Sequence, residues 1–317
     1  MKRKTWGAFV LLGVLAVGAI LLFLTYRTYG NWDFALKLRG KKLAALALVG
    51  ILTSFATISF QTVTENHFLT PNILGLDSLY VLIQTVSFFV FGGAQMLSQQ
   101  SLTQFLGNIF LVTLLSTLLA KALLKNRNLF LLLMVGMILG TFFSSISTFL
   151  QVIMDPNEYD LLQGKLFASF GNVDSQFLGI AAVLGLVLIS ILWYWAPKLD
   201  VLHLGRDQAI NLGIQVDRFQ LVLLIIVSML VAISTALVGP VTFLGFIVAN
   251  VSYQLFATYE HRVLFSGGAL LALVALVGGQ FLVEQVFALN TTLSVVIEFV
   301  GGIYFVAKII QERGKQA

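Results

Sequence analysis

The stretch Leu202-His203-Leu204-Gly205-Arg206-Asp207-Gln208-Ala209-Ile210-Asn211-Leu212-Gly213-Ile214 is the part of this chain whose residue types most clearly call for a partner. It is a charged, glycine-punctuated island between two long apolar runs. Arg206 and Asp207 need water, whereas the leucines and isoleucines around them need cover. Two arrangements meet both demands: a structured connector that folds its apolar residues inward, or a docking element that buries them in another protein.

The other candidate groups lie inside apolar runs. Glu298 falls near the middle of the last one, where a carboxylate is expensive and functional by default. Thr141, Ser144, Ser145, Thr148 and Gln151 are spaced so that most of them share one face of a helix. Their hydroxyls suit either of two tasks, bonding back to the helix backbone or lining a polar path. Gly136 and Gly140 precede them, a small-residue pair that permits close contact with a neighbouring helix.

Several chemistries are missing. No G-x-x-x-x-G-K-[ST] phosphate loop occurs, since Gly164-Lys165 is followed by Leu166 and lacks the first glycine. No hydrolase triad or zinc-protease motif is present, so any energy taken from nucleotide must come from another chain. The sequence has no cysteine, and His67, His203 and His261 are far apart in it with no metal-ligand spacing. Neither a cofactor nor a metal is expected, and nothing points to nucleic acid.

The elements that must position these groups follow from composition. Of 317 residues, 58% are hydrophobic and only 10% charged, which marks a polytopic membrane protein. Apolar runs near bilayer length fall at 7–24, 43–60, 78–96, 105–120, 129–153, 176–195, 219–238, 241–257, 263–283 and 291–307. Backbone polar groups in lipid must be satisfied internally, so these predict about ten helical spans rather than open strands. The pair around Pro240 allows a turn or a kink. The N-terminal run lacks a small-residue cleavage site and reads as an uncleaved first span.

Basic residues set the orientation. With the N-terminus inside, Lys2, Arg3, Lys4, Lys121, Lys125, Arg127, Lys198, Arg206, Arg218, Arg262, Lys308, Arg313 and Lys315 are cytoplasmic, leaving only six of the 19 Lys and Arg outside. The positive-inside rule therefore places both termini and the 202–214 island in the cytoplasm. Five of the six external basics lie between residues 27 and 42, against the rule. They serve either as interfacial anchors or as a docking patch for an acidic protein surface.

Four segments carry a family resemblance. Arg39-Gly40-Lys41-Lys42, with Gly50 and Gln61 in the run that follows, resembles the R-L-P-R opening of a second span. Glu65-Asn66-His67-Phe68-Leu69-Thr70-Pro71-Asn72-Ile73-Leu74-Gly75 is similar to an N-P-L-A-x-P-x-x-L-G turn. The island matches L-x-L-G-x-x-x-A-x-x-L-G. Gly239-Pro240-Val241-Thr242-Phe243-Leu244-Gly245-Phe246-Ile247-Val248, with Glu260-His261-Arg262 beyond, resembles G-x-I-x-F-V-G-L-I-V-P-H and its D-H-R partner. Together these resemble the membrane permeases of ABC importers for iron–siderophores, haem and vitamin B12, over residues 36–310. Ala249-Asn250 replaces the family's P-H and Tyr253 a basic residue, Asn290-Thr291-Thr292-Leu293-Ser294 stands at E-L-P-x-G, and Gln280 and Glu284 replace D-x-x-x-R. Glu298 has no counterpart in the pattern. These departures mark a divergent branch, associated with siderophore permeases.

The resemblance implies an all-α, type II importer permease, a single transmembrane domain over 1–317 with its coupling-helix loop at about 198–218. It implies a second permease subunit, identical or similar, two cytosolic ABC ATPase subunits and an extracytoplasmic substrate-binding protein, in the cytoplasmic membrane of a prokaryote. Leu202, Leu204, Gly205, Arg206, Asp207, Ala209, Leu212 and Gly213 become the ATPase-coupling residues, with Arg206 and Asp207 orienting the leucines. Arg39, Lys41 and Lys42 become the binding-protein dock. Thr141, Ser144, Ser145, Thr148, Gln151 and Glu298 become the path for a ferric siderophore. Gln61, Asn66, Pro71, Gly75, Gly239, Pro240 and Gly245 carry the structural motifs. Alternatives are a cobalamin, haem or other metal importer of the same architecture, or a secondary transporter with Glu298 as its proton carrier.

Overall fold

Each apolar run closes its backbone hydrogen bonds as a helix, as hydrocarbon demands. A computed structural model describes residues 3–27, 32–98, 102–124, 129–167, 169–171, 173–289 and 291–316. It contains α1 (Arg3–Thr25), α2 (Trp32–Thr64), a 3-10 turn (Pro71–Leu74), α3 (Leu76–Phe91), α4 (Gly93–Ser98), α5 (Leu102–Leu124) and α6 (Leu129–Ile153). There follow α7 (Pro156–Leu166), α8 (Ser175–Leu202), α9 (Arg206–Asn211), α10 (Val216–Val238), α11 (Leu244–Phe256), α12 (His261–Gln285) and α13 (Leu293–Gln316). Seven helices among the described residues, α1, α2, α6, α8, α10, α12 and α13, are long and apolar enough to cross a membrane. The shorter apolar helices α3, α5 and α11 occupy the other three expected positions. The chain is an all-α, multi-pass membrane protein. Lys2, Lys125, Arg127 and Asn290 lie outside the described residues.

At the centre stands α2, apolar all round and packed against α8, α10, α11 and α12. Leu46, Val49, Leu52, Ala56, Ile58 and Phe60 on it are fully buried. The helix begins at Trp32, so Lys37, Arg39, Lys41 and Lys42 sit on its first turns rather than in a loop. The segment 155–174, expected only as an acidic connection, contains the short helix α7, capped by the Asp155 carboxylate. Glu158 of α7 accepts from the Gly93 N–H at the start of α4, and Leu162 buries against Phe88 and Met154.

Two helices are too short to span. The 16 residues of α3 reach roughly 24 Å, and the 13 of α11 roughly 20 Å, against about 30 Å of hydrocarbon. Each follows a non-helical segment, 65–75 and 239–243, whose Pro71, Leu74, Gly75, Gly239 and Val241 are buried in protein. Irregular backbone at membrane depth survives only when buried this way or when it lines a wet cavity. The two breaks touch, because Asn72 Nδ2 donates to the Thr242 carbonyl at 3.5 Å. Pro240 therefore lies in a true interruption between α10 and α11.

The Gly136–Gly140 pair of α6 receives this interruption rather than another helix. A Cβ on Gly136 would stand 2.8 Å from the Ile73 carbonyl, and one on Gly75 would stand 3.0 Å from Gly140 Cα. Gly75 also holds a left-handed φ of 78°, which a glycine adopts without steric cost.

Candidate functional site

The coupling element is built locally. Gly205, at φ 101°, turns the chain out of α8, and Arg206–Asn211 make barely two turns of helix. Its end is a Schellman closure: the Gly213 N–H donates to Ile210 O at 2.9 Å and the Ile214 N–H to Ala209 O at 3.0 Å. Leu202, Ala209 and Val216 are buried in the core and pin the element from beneath. Leu204, Ile210 and Leu212 project outward, 53%, 48% and 62% exposed. The island thus divides its apolar residues between anchoring and display. Arg206 does not act with Asp207: its guanidinium pairs with Asp217 in the first turn of α10 at 2.6 Å, while Asp207 stays exposed.

Beneath this element the three histidines meet, which their separation in sequence hides. The rings of His67 and His203 lie 6.1 Å apart, and those of His203 and His261 6.3 Å. His261 is fully buried, with Nδ1 2.6 Å from Asp200 Oδ1 and Nε2 2.7 Å from Thr62 Oγ1. It ties α2, α8 and α12 together at the root of the island. Among the described residues, no group of three or more His, Cys, Asp or Glu is placed to hold a metal. The carbonyl of His67 accepts from both Gln61 Nε2 at 2.6 Å and Asn250 Nδ2 at 2.9 Å. The Tyr253 ring lies 4.3 Å from His67, so two departures from the family signature, Asn250 and Tyr253, both serve this turn. Asn66 orders it from within by accepting the Phe68 N–H. Burial, and then the neighbouring His261, hold the His203 imidazole below its ordinary pKa, opposed by Asp200 and Glu65.

The intramembrane polar residues converge on the start of α3. Thr141, Ser144, Ser145 and Thr148 form an exposed face of α6. Thr141, Ser145 and Thr148 bond back to carbonyls four residues earlier, whereas Ser144 donates to Ser78 at 3.1 Å. Gln151 donates to Thr85 at 3.1 Å. Next to Ser78, Asp77 accepts from Thr242 Oγ1 at 3.5 Å, and Thr242 also reaches the Glu298 carboxylate. Glu298 and Asp77 are near enough for their charges to interact. One polar strip therefore runs from α6 across α3 and the 239–243 break to α13. Asp77 and Thr242 were missed in the sequence; a lone Asp two residues after a turn glycine reads as a helix start, and nothing local ties it to Glu298. Gly245 brings α11 against α2, since a Cβ there would overlap Thr57.

On the opposite face, the basic cluster makes bonds within the chain. Arg39 Nη1 donates to the carbonyls of Phe23, Leu24 and Tyr26, capping the end of α1. Lys42 pairs with Glu284 at 2.9 Å, the two side chains only 15% and 11% exposed, and Gln280 donates to the same carboxylate oxygen. Lys41 is half-buried beside them.

The family model described as the FecCD transport family matches residues 4–311. The chain belongs to the FecCD transport family. It is 46% identical over 300 residues to the petrobactin import system permease protein YclO of Bacillus subtilis, covering 94% of this chain and 95% of that one. It is 35% identical over 273 residues to the petrobactin import system permease protein FatC of Bacillus anthracis, covering 86% and 77%. Among solved structures, a metal-chelate-type ABC transporter in an inward-facing conformation superposes with a TM-score of 0.80, covering 97% of this chain and 98% of that one at 21% identity. At that identity the likeness speaks for the fold, which is that of an ABC transporter permease.

Proposed function

We propose that this chain is one permease subunit of an ABC importer that moves a ferric siderophore of the petrobactin type inward across the cytoplasmic membrane. The observation that carries the reading is the island at 202–214. Leu204, Ile210 and Leu212 are held out to solvent by an element whose underside is locked into the core. Exposed leucines on a rigid, pinned turn are a surface shaped for another protein. The partners are two cytosolic ATPases at this face, a second permease, identical or similar, and an extracytoplasmic binding protein at the other. Both termini then lie in the cytoplasm, residues 1–317 form one permease domain, and ATP is hydrolysed only by the partner subunits. The cargo passes along the strip from Thr141 to Glu298. Of the three basic residues proposed as the binding-protein dock, Lys41 is the one whose charge is not committed to α1 or Glu284 by the contacts above.

Proteoliposomes holding the assembled importer test this directly. ATP-dependent uptake of iron-55 as ferric petrobactin is expected, and scrambling 202–214 should abolish both uptake and co-purification of the ATPase. Full uptake by the scrambled protein would overturn the assignment. Uptake of haem or cobalamin in place of the ferric chelate would redirect it to another importer of the same architecture. The Asp77–Glu298 pair favours a second reading, a proton-coupled carrier. Accumulation driven by a pH gradient in vesicles lacking any ATPase would establish that reading instead.

A further inference from the structure

The polar strip carries an unbalanced charge. No basic side chain among the described residues forms an ion pair with Asp77 or Glu298, although the two carboxylates approach one another beside Thr242. Two like charges at membrane depth are costly unless a cation joins them. Asp77 also lies in the first turn of α3, where free backbone N–H groups favour the ionised carboxylate.

A second, independent feature adjoins them. Thr57, Ser234 and Thr235 are 2%, 5% and 5% exposed and line the same small cavity as Asp77 and Thr242. Unlike the α6 hydroxyls, which bond back to their own helix, these three have no hydrogen-bond partner among the described residues. A buried hydroxyl left unmade is a standing cost. The cavity measures about 20 Å³, enough for one group the size of a water molecule. The missing occupant is therefore small and positively charged, and it donates several hydrogen bonds at once. A metal ion fits poorly, since the described residues offer no set of three or more acidic, His or Cys ligands.

We propose that Asp77 and Glu298 form a subsite for a protonated aliphatic amine, with the hydroxyls of Thr57, Ser234 and Thr235 accepting its remaining N–H groups. Resting on the importer reading, this means that the ferric chelate passing this permease carries at least one ammonium group, which the acid pair holds as the chelate crosses.

The test uses the complete importer in proteoliposomes and two iron-55 chelates of one ferric catecholate, one with free amines and one with those amines acetylated. The wild type is expected to carry the amine form about tenfold faster or more, the value of one charge-assisted contact. In the double variant Asp77→Asn/Glu298→Gln the ratio should fall to about one. Equal rates in the wild type, or a preference that survives in the double variant, would overturn the proposal. Purified permease supplies a second readout. Ethylammonium chloride should raise its melting temperature more than sodium chloride at equal ionic strength, and the double variant should lose that difference. Equal effects of the two salts in the wild type would assign the charge pair to any cation and overturn the amine site. If neither chelate enters with ATP, the importer reading fails, while the melting experiment still decides whether the amine site exists.

Discussion

The coupling element and the intramembrane strip solve opposite mechanical problems. The element is closed by backbone bonds of 2.9 to 3.0 Å between residues no more than five apart, and it is pinned by Leu202, Ala209 and Val216. The strip is joined by contacts between distant parts of the chain, and two of them, Asn72 to Thr242 and Thr242 to Asp77, stretch to 3.5 Å. A surface that must transmit force needs rigidity, and short-range bonds supply it cheaply in chain entropy. A path that must open needs joints, and long, weak bonds between two helix breaks are joints. The same chain thus places its stiffest turn at one face and its loosest polar contacts at membrane depth.

The largest expected effect comes from jamming the joint. Gly136→Leu would drive a side chain into the backbone of Ile73 and Leu74. Overpacking against backbone that cannot give should cost about 3 kcal/mol or more, with uptake falling roughly a hundredfold. Iron-55 uptake and thermal unfolding in detergent would show both, and near-normal uptake would mean that the break is not held by α6.

Leu204→Asp with Leu212→Asp tests the stiff side. Each exposed leucine that becomes an interface anchor should be worth about 2 kcal/mol, so ATPase co-purification should be lost while the permease still elutes as a folded protein. Retained ATPase binding would leave the island a mere connector.

Lys42→Glu should lower stability by about 2–3 kcal/mol, because it leaves Glu284 buried without its partner. The exchange Lys42→Glu/Glu284→Lys separates the two roles of this residue. Recovery of both stability and uptake makes the pair internal. Recovery of stability alone keeps Lys42 as a docking charge.

A gentler effect is expected from acid. His203, at the end of α8 outside the spans, has its pKa depressed by burial and by His261, so the folded chain binds fewer protons than the unfolded one. Stability is therefore full above the ordinary histidine value of about 6.5 and declines as pH falls through it, levelling once the folded-state pKa is passed. Melting temperatures between about pH 7.5 and 5.5 should show the decline, and His203→Asn should flatten it. Smallest of all is Arg206→Ala. Its partner Asp217 is half-exposed, so the pair contributes well under about 1 kcal/mol, and only a slight drop in ATPase coupling is expected.

How much was legible beforehand depended on range. The boundaries of α9 could be read from Gly205 and Gly213 because glycines at left-handed positions act within a few residues. The hydroxyl face of α6 followed from a 3.6-residue period. Which of the leucines at 202–214 point inward did not follow, since Leu202 and Leu204 differ only in what lies beneath them. The stacking of His67, His203 and His261 was invisible for the same reason. Asp77 gave no signal that its neighbour would be Glu298, 221 positions further along the chain.

Hydropathy, charge asymmetry and turn glycines by themselves determined that this protein is a bundle of apolar helices with one charged element set apart, because bilayer solvation and backbone sterics act on each segment separately. Only the tertiary structure decided that two interrupted helices abut, that Arg39 and Lys42 spend their charge on α1 and Glu284, and that two acids share one site. Those outcomes depend on which side chains meet across the bundle, and such meetings are settled by the packing of all the helices at once.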